Sequence, residues 1–182
     1  MDAGYDLFIT KGINNTVIDD IVKKAGVAKG TFYLYFKDKY DLVNWIFYTE
    51  FIQSVQYTDY ENAWGFLEDI CRYFFKEQAF YRNAMQIQGQ NSFREYFSEV
   101  MAPFIDIFLQ SIFHREPHSA FFQTFLSDAF LASLMRWLSD GVKIAPEEYL
   151  SNLKLLLVEV SRQVMQDYDA GTLQLPPLPT GD

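Results

Sequence analysis

The chain has 182 residues, of which 49% are hydrophobic and 18% aromatic, and its formal net charge is −9. It contains no run of about 18 apolar residues and no charged segment leading into an apolar stretch, so we expect neither a membrane span nor a secretory signal. Its single cysteine, Cys71, excludes an internal disulfide framework and favours a reducing, cytoplasmic location.

Hydrophobic spacing predicts helices along the whole chain and no strands of useful length, so we expect an all-α fold. Four helices are predicted near the start, at about 2–10, 17–25, 29–35 and 38–56. Five more are predicted further on, at 63–76, 78–86, 92–113, 119–140 and 146–167. Pro103 should kink or split its helix, and the proline-rich stretch 173–179 should be extended.

The stretch 16–36, TVIDDIVKKAGVAKGTFYLYF, has the layout of a helix-turn-helix. Thr16 and Asp19 stand in the spacing of a capping box, which predicts a helix start. Gly26 supplies the positive-φ residue that ends this helix. The helix that follows, 29–35, is too short to be stable by itself and must pack on its neighbours. In such motifs the second helix enters the DNA major groove.

The core GVAKGTFYLYF, followed by KDKYDL, resembles the TetR/AcrR family of transcriptional regulators, and the resemblance covers about residues 3–45. It implies an N-terminal DNA-binding domain at 1–45 with a three-helix helix-turn-helix. It also implies a helical regulatory and dimerisation domain at 46–182. The later stretch FYRNAMQIQGQNSFREYF is similar to the ligand domains of regulators of dihydroxyacetone-kinase operons, some of which are co-activators.

The resemblance also assigns a set of DNA-binding residues. Lys29 and Gly30 are expected at the groove floor, where the lysine donates to a guanine or a phosphate and the glycine allows close approach. Tyr33, Lys39 and Thr16 are expected on phosphates. The full set is Thr16, Lys29, Gly30, Thr31, Tyr33, Tyr35 and Lys39. The alternatives are that Thr16 only caps a helix, Tyr33 only packs, and Lys29 is only a solvated charge.

Three departures from the family pattern predict weaker DNA binding than usual. Ala28 stands where a capping hydroxyl is common, at a cost of about 1 kcal/mol. Leu34 replaces an aromatic or polar residue and so removes a contact, and no basic arm precedes the first helix. Residues 1–45 hold six lysines against six aspartates, so their net charge is zero and the acidic excess lies elsewhere.

An excess of aromatic side chains in the middle of the chain predicts a cavity for an unidentified apolar or aromatic ligand. The candidates are Phe74, Phe75, Tyr81, Met85, Phe93, Phe97, Phe104 and Phe108. The alternative is that these residues are simply packed core.

Leucine and valine residues at alternating spacings of three and four in the last helix predict a helix-packing seam between two copies of the chain. The expected homodimer interface consists of Phe122, Ala129, Trp137, Leu150, Leu153, Leu157, Val160 and Val164. The residues off this seam leave the helix apolar on more than one side, so one side can face the core and another a partner. The alternative is one long internal core helix.

We expect no enzyme activity, cofactor or metal site. The two histidines, His114 and His118, flank Pro117 in a charged turn and have no convincing third ligand. Cys71 has no nearby histidine, and the chain contains no phosphate-cradling or dinucleotide glycine motif.

Two functions therefore remain open. The first is a ligand-responsive dimeric repressor that binds a palindromic operator in double-stranded DNA. The second is a co-activator or protein-interaction module that keeps the scaffold with weakened DNA binding.

Overall fold

The computed structural model describes residues 2–55, 63–87, 91–113 and 120–160, with a few single positions besides. Within these ranges the fold is all helical, without strands, as the sequence predicts. The helices are α1 Asp2–Lys11, α2 Ile18–Ala25, α3 Lys29–Tyr35, α4 Lys39–Glu50, α5 Ala63–Lys76, α6 Gln78–Ala84, α7 Phe93–Phe113, α8 Ala120–Ser139 and α9 Pro146–Lys154. A short 3₁₀ helix, Ile52–Ser54, follows α4, and a π-helical segment, Leu155–Val160, continues α9.

Local signals set the bounds of the first four helices, which we call the head. Gly26 ends α2 in the left-handed conformation, with φ of 69°. Asp38 caps α4 because its Oδ1 accepts hydrogen bonds from the amides of Tyr40 and Asp41, both at 2.8 Å. Both predictions are confirmed. The predicted capping box is wrong, because Val17 precedes α2 and makes no side-chain hydrogen bond to it.

Two other predicted boundaries differ from the structure. The helix α7 contains Pro103 without being split. The helix α4 ends at Glu50 rather than near 56, and the chain then turns so that Phe51 is buried against Phe47, with ring centroids 5.5 Å apart. The proline-rich stretch 173–179 lies outside the described residues.

One hydrophobic core connects the head to the later helices. The ring of Phe47, on α4, is fully buried among aromatic rings from α5, α6 and α7. On the other side of the head, Tyr5 of α1 stacks on Phe80 of α6 with centroids 4.9 Å apart. The later helices therefore hold both α1 and α4, and so fix the orientation of the head. No described helix has the length and apolar character needed to cross a membrane.

Candidate nucleic-acid interface

The short helix α3 turns one side inward and exposes the other. Phe32 is 5% exposed and packs its ring 5.4 Å from that of Phe36. On the outer side, Tyr33 is 51% exposed and Tyr35 is 75% exposed. Lys29, Gly30 and Thr31 are exposed too. Five of the seven predicted DNA-binding residues therefore lie together on one accessible helix.

Lys29 does not present a free charge in this structure. Its Nζ lies 2.8 Å from Oδ1 of Asp19 on α2, and both side chains are exposed. The hydrogen bond that Lys29 donates to Asp19 is the main reason that the pKa of Lys29 is raised above its ordinary value. A phosphate or base that binds Lys29 must therefore compete with Asp19.

Lys39, which is predicted to contact a phosphate, makes its hydrogen bonds within the head in this structure. Its Nζ donates to the backbone carbonyls of Ile13, Asn14 and Thr16 at 2.7, 3.0 and 2.9 Å. These bonds use all three ammonium protons. Burial lowers the pKa of Lys39 from its ordinary value. Lys39 therefore ties the start of α4 to the turn between α1 and α2.

Thr16, which is predicted to contact a phosphate, is completely buried in this structure. Its hydroxyl lies 2.8 Å from the carbonyl oxygen of Gly12 and 3.3 Å from that of Leu7, and it donates to these oxygens. The hydroxyl thus ties the turn after α1 to the end of that helix.

Two further ion pairs explain why the lysines of the head are balanced by aspartates. The Nζ atom of Lys11 lies 2.9 Å from Oδ2 of Asp20, and the Nζ atom of Lys24 lies 2.9 Å from Oδ2 of Asp6. Each pair links α1 to α2. The hydrogen bond from Lys11 is the main cause that lowers the pKa of Asp20. Much of the positive charge of the head thus holds its own helices together.

Gly30 occupies a position that would accept a side chain. A Cβ atom built there meets no heavy atom within 4 Å. Glycine inside a helix lowers stability by about 0.5–1 kcal/mol relative to alanine. The fold of the described residues supplies no reason for a glycine here, and close approach of another molecule to α3 would supply one.

Polar contacts that the sequence did not reveal connect the head to the later helices. The side chain of Asn44 on α4 donates to the carbonyl oxygen of Asn91, which precedes α7, at 3.3 Å. The hydroxyl of Tyr5 donates to the carboxylate of Glu77. The hydroxyl of Tyr73 on α5 donates to Glu50 at the end of α4, at 3.0 Å. A movement of α4 would disturb these bonds together.

Most of the predicted ligand-pocket residues are buried in the hydrophobic core. Phe74, Tyr81, Met85, Phe93 and Phe97 are each at most 2% exposed. The four aromatic rings among them pack edge-on, tilted or stacked against one another at 4.6–6.3 Å. None of these five residues lines the cavity described below.

The other three predicted pocket residues differ from this cluster and from one another. Phe75 is 38% exposed, stacks on Trp137 with centroids 6.2 Å apart, and is not among the residues that line the cavity described below. The side chain of Phe108 lies outside the described part of the structure. Phe104 does line a cavity.

That cavity lies between α5, α7, α8 and the last helix and has a volume of about 130 Å³. Its lining is apolar apart from the hydroxyl of Ser133, which accepts a hydrogen bond from Tyr149 at 2.9 Å. Burial raises the pKa of Tyr149 to about 12, so its hydroxyl stays a donor. The lining residues are Leu67, Met101, Phe104, Leu126, Ala129, Phe130, Ser133, Leu153, Leu156 and Leu157.

The predicted dimer seam mostly faces the chain's own core, so it is wrong for Trp137 and Leu150. Trp137 is buried, stacks on Tyr149, and donates from Nε1 to the carbonyl of Ile144 at 3.0 Å. Leu150 is 5% exposed, and Leu153 and Leu157 line the cavity. Val164 and the side chains of Phe122 and Val160 lie outside the described residues.

Other apolar residues of these helices are exposed, and two of them, Ala129 and Leu156, also line the cavity. We call these exposed residues the α8–α9 surface: Phe121, Phe125, Ala129, Leu155, Leu156 and Val158. Leu155 and Leu156 are 58% and 59% exposed, and Phe121 and Phe125 stack with centroids 6.1 Å apart. Of the predicted interface residues whose side chains are described, Ala129 alone belongs to this surface.

Outside the head, the histidine and cysteine side chains, which are the candidate metal ligands and nucleophile of the sequence, are either buried or outside the described residues. His114 and His118 lie outside the described residues. Cys71 is fully buried, and burial raises the pKa of its thiol to about 12. Among the described side chains, no group of three or more histidine, cysteine or acidic residues is placed to hold a metal ion.

Two family matches together cover most of the chain. Residues 1–46 match the family described as bacterial regulatory proteins, tetR family, and residues 61–159 match one described as transcriptional regulator C-terminal region. The boundary between them falls after most of α4, close to the junction that the sequence predicts.

Individual relatives support the same grouping. The chain is 49% identical over 43 residues to an uncharacterized HTH-type transcriptional regulator, YvdT, of Bacillus subtilis. This matched segment covers 24% of this chain and only 22% of that protein. It is 26% identical over 130 residues to the dhaKLM operon transcriptional activator DhaS of Lactococcus lactis, covering 71% and 67% of the two chains. A solved structure of DhaS, the dihydroxyacetone kinase operon activator, superposes with a TM-score of 0.59 at 23% identity over 87% of this chain and 93% of that one. That likeness supports the fold.

Proposed function

This chain belongs to the tetR family of bacterial regulatory proteins, a family of transcriptional regulators, and from that premise we propose that it is a repressor that binds operator DNA as a homodimer. The α3 helix of each subunit enters the major groove. The observation that carries the proposal is the exposure of Lys29, Tyr33 and Tyr35 on α3, a helix in which Phe32 alone is buried. A short exposed helix that is held in place by a buried aromatic residue is suited to bind in the DNA major groove.

The proposed DNA contacts follow from which polar groups remain accessible. Lys29 exchanges Asp19 for a phosphate or a guanine edge, and the tyrosine hydroxyls reach phosphates. Thr31 offers an exposed hydroxyl beside them. Because Lys39 and Thr16 are engaged inside the head, we assign them to its architecture and not to DNA.

The α8–α9 surface is the proposed dimer interface. It is apolar and exposed, and a second copy of the same surface related by a two-fold axis would cover it. The two reading helices would then lie about one DNA turn (~34 Å) apart, which predicts a near-palindromic operator.

The apolar cavity is the proposed site of a small effector. A cavity of this order holds about one benzene-sized group. The hydroxyl of Ser133 accepts from Tyr149, so its own proton is available to a ligand oxygen. We therefore expect a small apolar ligand with one hydrogen-bond acceptor.

A gel-shift titration of the purified protein against its own upstream DNA, at about 50 and 200 mM salt, tests the DNA-binding proposal. We expect a shift that weakens steeply with salt, because displaced counterions drive such binding. We also expect a footprint with two-fold symmetry. Lys29→Ala should weaken the shift and flatten its salt dependence. Lys76→Ala is the matched control, since Lys76 is also exposed and paired with a glutamate, at 3.3 Å, but lies on α5.

The dimer proposal is tested by sedimentation equilibrium on Phe125→Glu. A buried charge without a partner is costly, so this variant should be monomeric. Tyr48→Glu is the control, because Tyr48 is exposed on α4 and away from the α8–α9 surface. A dimer that survives Phe125→Glu would refute the interface.

The ligand proposal is tested by thermal shift with benzene and with acetophenone, which adds a carbonyl acceptor. Acetophenone should stabilise the wild type more than benzene does, and Ser133→Ala should remove that difference. Stabilisation by neither compound would refute the proposed ligand class.

A co-activator that docks on another protein is the second candidate function. The observations that favour it are the pairing of Lys29 with Asp19 and the zero net charge of residues 1–45. The relative DhaS is itself named as a transcriptional activator. Absence of any gel shift at low salt, together with capture of a partner that survives Lys29→Ala, would favour this function over the first.

A further inference from the structure

Leu34 is the most exposed large hydrophobic side chain that the structure describes, at 81%. A single exposed leucine on a protein surface is ordinary. The position of this one is not, since it lies on the outer side of α3, one residue before the helix ends. From the sequence alone, we interpret Leu34 as the loss of a DNA contact. In the structure, its side chain points outward.

The geometry of α3 decides what Leu34 would meet. Residues i and i+2 of a helix lie about 200° apart around the helix axis. Leu34 therefore points away from Phe32, which is buried. Gly30 lies one turn earlier on the same side, and a Cβ there would meet nothing within 4 Å. Leu34 therefore stands beside a gap, and no side chain at position 30 shields it.

The residues that flank Leu34 are polar. Lys29 and Tyr33 lie on one side of it around the helix, and Thr31 and Tyr35 lie on the other. These neighbours can bond phosphates and polar base edges. Leu34 has neither a donor nor an acceptor, and a leucine placed over a polar base edge would strip that edge of water without replacing the hydrogen bond.

We infer that Leu34 determines operator specificity by contacting the C5 methyl group of a thymine in the major groove. This methyl is the one apolar group among the base edges of that groove. The inference rests on the proposed function, since it requires α3 to enter the groove. It adds that each half-site contains a thymine that the protein recognises by its methyl group.

The test replaces each thymine of the footprinted operator by deoxyuridine, which removes the methyl and keeps the base pair. At one position in each half-site, we expect the wild type to lose about fourfold in affinity per methyl, the value for one buried methylene-sized group. Leu34→Ala should bind the unmodified operator more weakly by a similar factor. It should show no further loss when that thymine is replaced.

Ile9→Ala is the matched control, because it also shortens an exposed aliphatic side chain of the head, on α1. It should keep the wild-type affinity and the full deoxyuridine penalty. Thermal unfolding of Leu34→Ala should match the wild type, since the side chain is exposed.

Three outcomes are informative. Normal DNA binding by the wild type without any deoxyuridine penalty would overturn the role of Leu34 and leave the proposed function standing. A penalty that persists undiminished in Leu34→Ala would assign the methyl contact to another residue. Failure of the wild type to bind any upstream DNA would overturn the proposed function, and this inference with it.

Discussion

The head and the later helices are both rich in aromatic residues, but they place them differently. On α3, Tyr33 and Tyr35 are more than half exposed while only Phe32 points inward. Around Phe47, aromatic residues of α5, α6 and α7 are buried almost completely. The contrast teaches that an aromatic-rich segment does not by itself indicate a ligand site. The same residue types build a solid core where several helices meet and an accessible surface where one short helix stands at the edge.

The two regions also use polar groups differently. In the head, four of the six lysines bond to aspartates or to backbone carbonyls, and these four include Lys29 of α3. Further along the chain, the α8–α9 surface is mainly apolar, with few groups to satisfy. Recognition by the head therefore requires exchange of partners, whereas association through the α8–α9 surface requires only burial. The predictions below test this contrast, beginning with the largest effect.

The strongest test of the contrast between core and surface aromatic residues compares two variants, Phe47→Ala and Tyr33→Ala, in their stability and their DNA binding. Phe47 is fully buried, so its truncation should lower the free energy of unfolding by about 3–5 kcal/mol. Tyr33→Ala should change that free energy by about 0.5 kcal/mol or less and weaken DNA binding instead. Urea denaturation measures the first effect and gel shift the second.

If Phe47→Ala does not fold, Phe47→Leu provides the measurement, with a smaller loss. Equal destabilisation by the Tyr33 and Phe47 changes would contradict the assignment of Tyr33 to an exposed reading surface.

The architectural role of Lys39 is tested by Lys39→Met. Loss of three bonds from a charged donor should lower the free energy of unfolding by about 1.5–3 kcal/mol, because the carbonyls of the α1–α2 turn lose their partner. Lys37→Met is the control, since Lys37 is exposed two residues away and makes no such contact through its side chain. Unchanged stability with a flatter salt dependence of DNA binding would instead make Lys39 a phosphate ligand.

The competition between Asp19 and DNA for Lys29 is tested by Asp19→Asn. The change frees one positive charge in each subunit. We therefore expect tighter DNA binding at low salt and a salt dependence of log K steeper by about two for the dimer. Glu148→Gln removes a similar exposed charge from α9 and should leave the slope unchanged. A weaker shift for Asp19→Asn would mean that Asp19 positions Lys29 for DNA and does not compete with it.

Local signals predict several helix ends of the head, although the capping box at Thr16 fails because Val17 stands at the cap position. Gly26 and the cap at Asp38 mark helix ends through their own backbone preferences, and the predicted bounds of α3 match the structure. The partners of Lys39 lie 23–26 residues earlier in the chain. No local pattern distinguishes a lysine that binds these carbonyls from one that binds a phosphate.

The later helices show the corresponding limit for periodicity. Spacings of three and four predict an apolar stripe on the last helix, but not whether it faces the chain's own core or a second copy. Leu150 and Leu155 are both leucines in one continuous helical stretch, yet the first is 5% exposed and the second 58%. Which side faces inward depends on where α5 and α8 pack, and this follows from tertiary contacts alone.

The variant Gly30→Ala has the smallest expected effect but gives the most specific test of the DNA-binding surface of α3. Its stability and its DNA affinity should change in opposite directions. Gly30→Ala places a methyl group in open space, so it should raise the free energy of unfolding by about 0.5–1 kcal/mol through helix propensity. On DNA the same methyl group should collide with whatever approaches α3, and affinity should fall. Gly26→Ala is the matched control, since its Cβ would also meet open space but its φ is 69°, so it should lose stability by a similar amount. A Gly30→Ala protein that is more stable and binds DNA as tightly as the wild type would remove Gly30 from the interface, and with it the reason for glycine at that position.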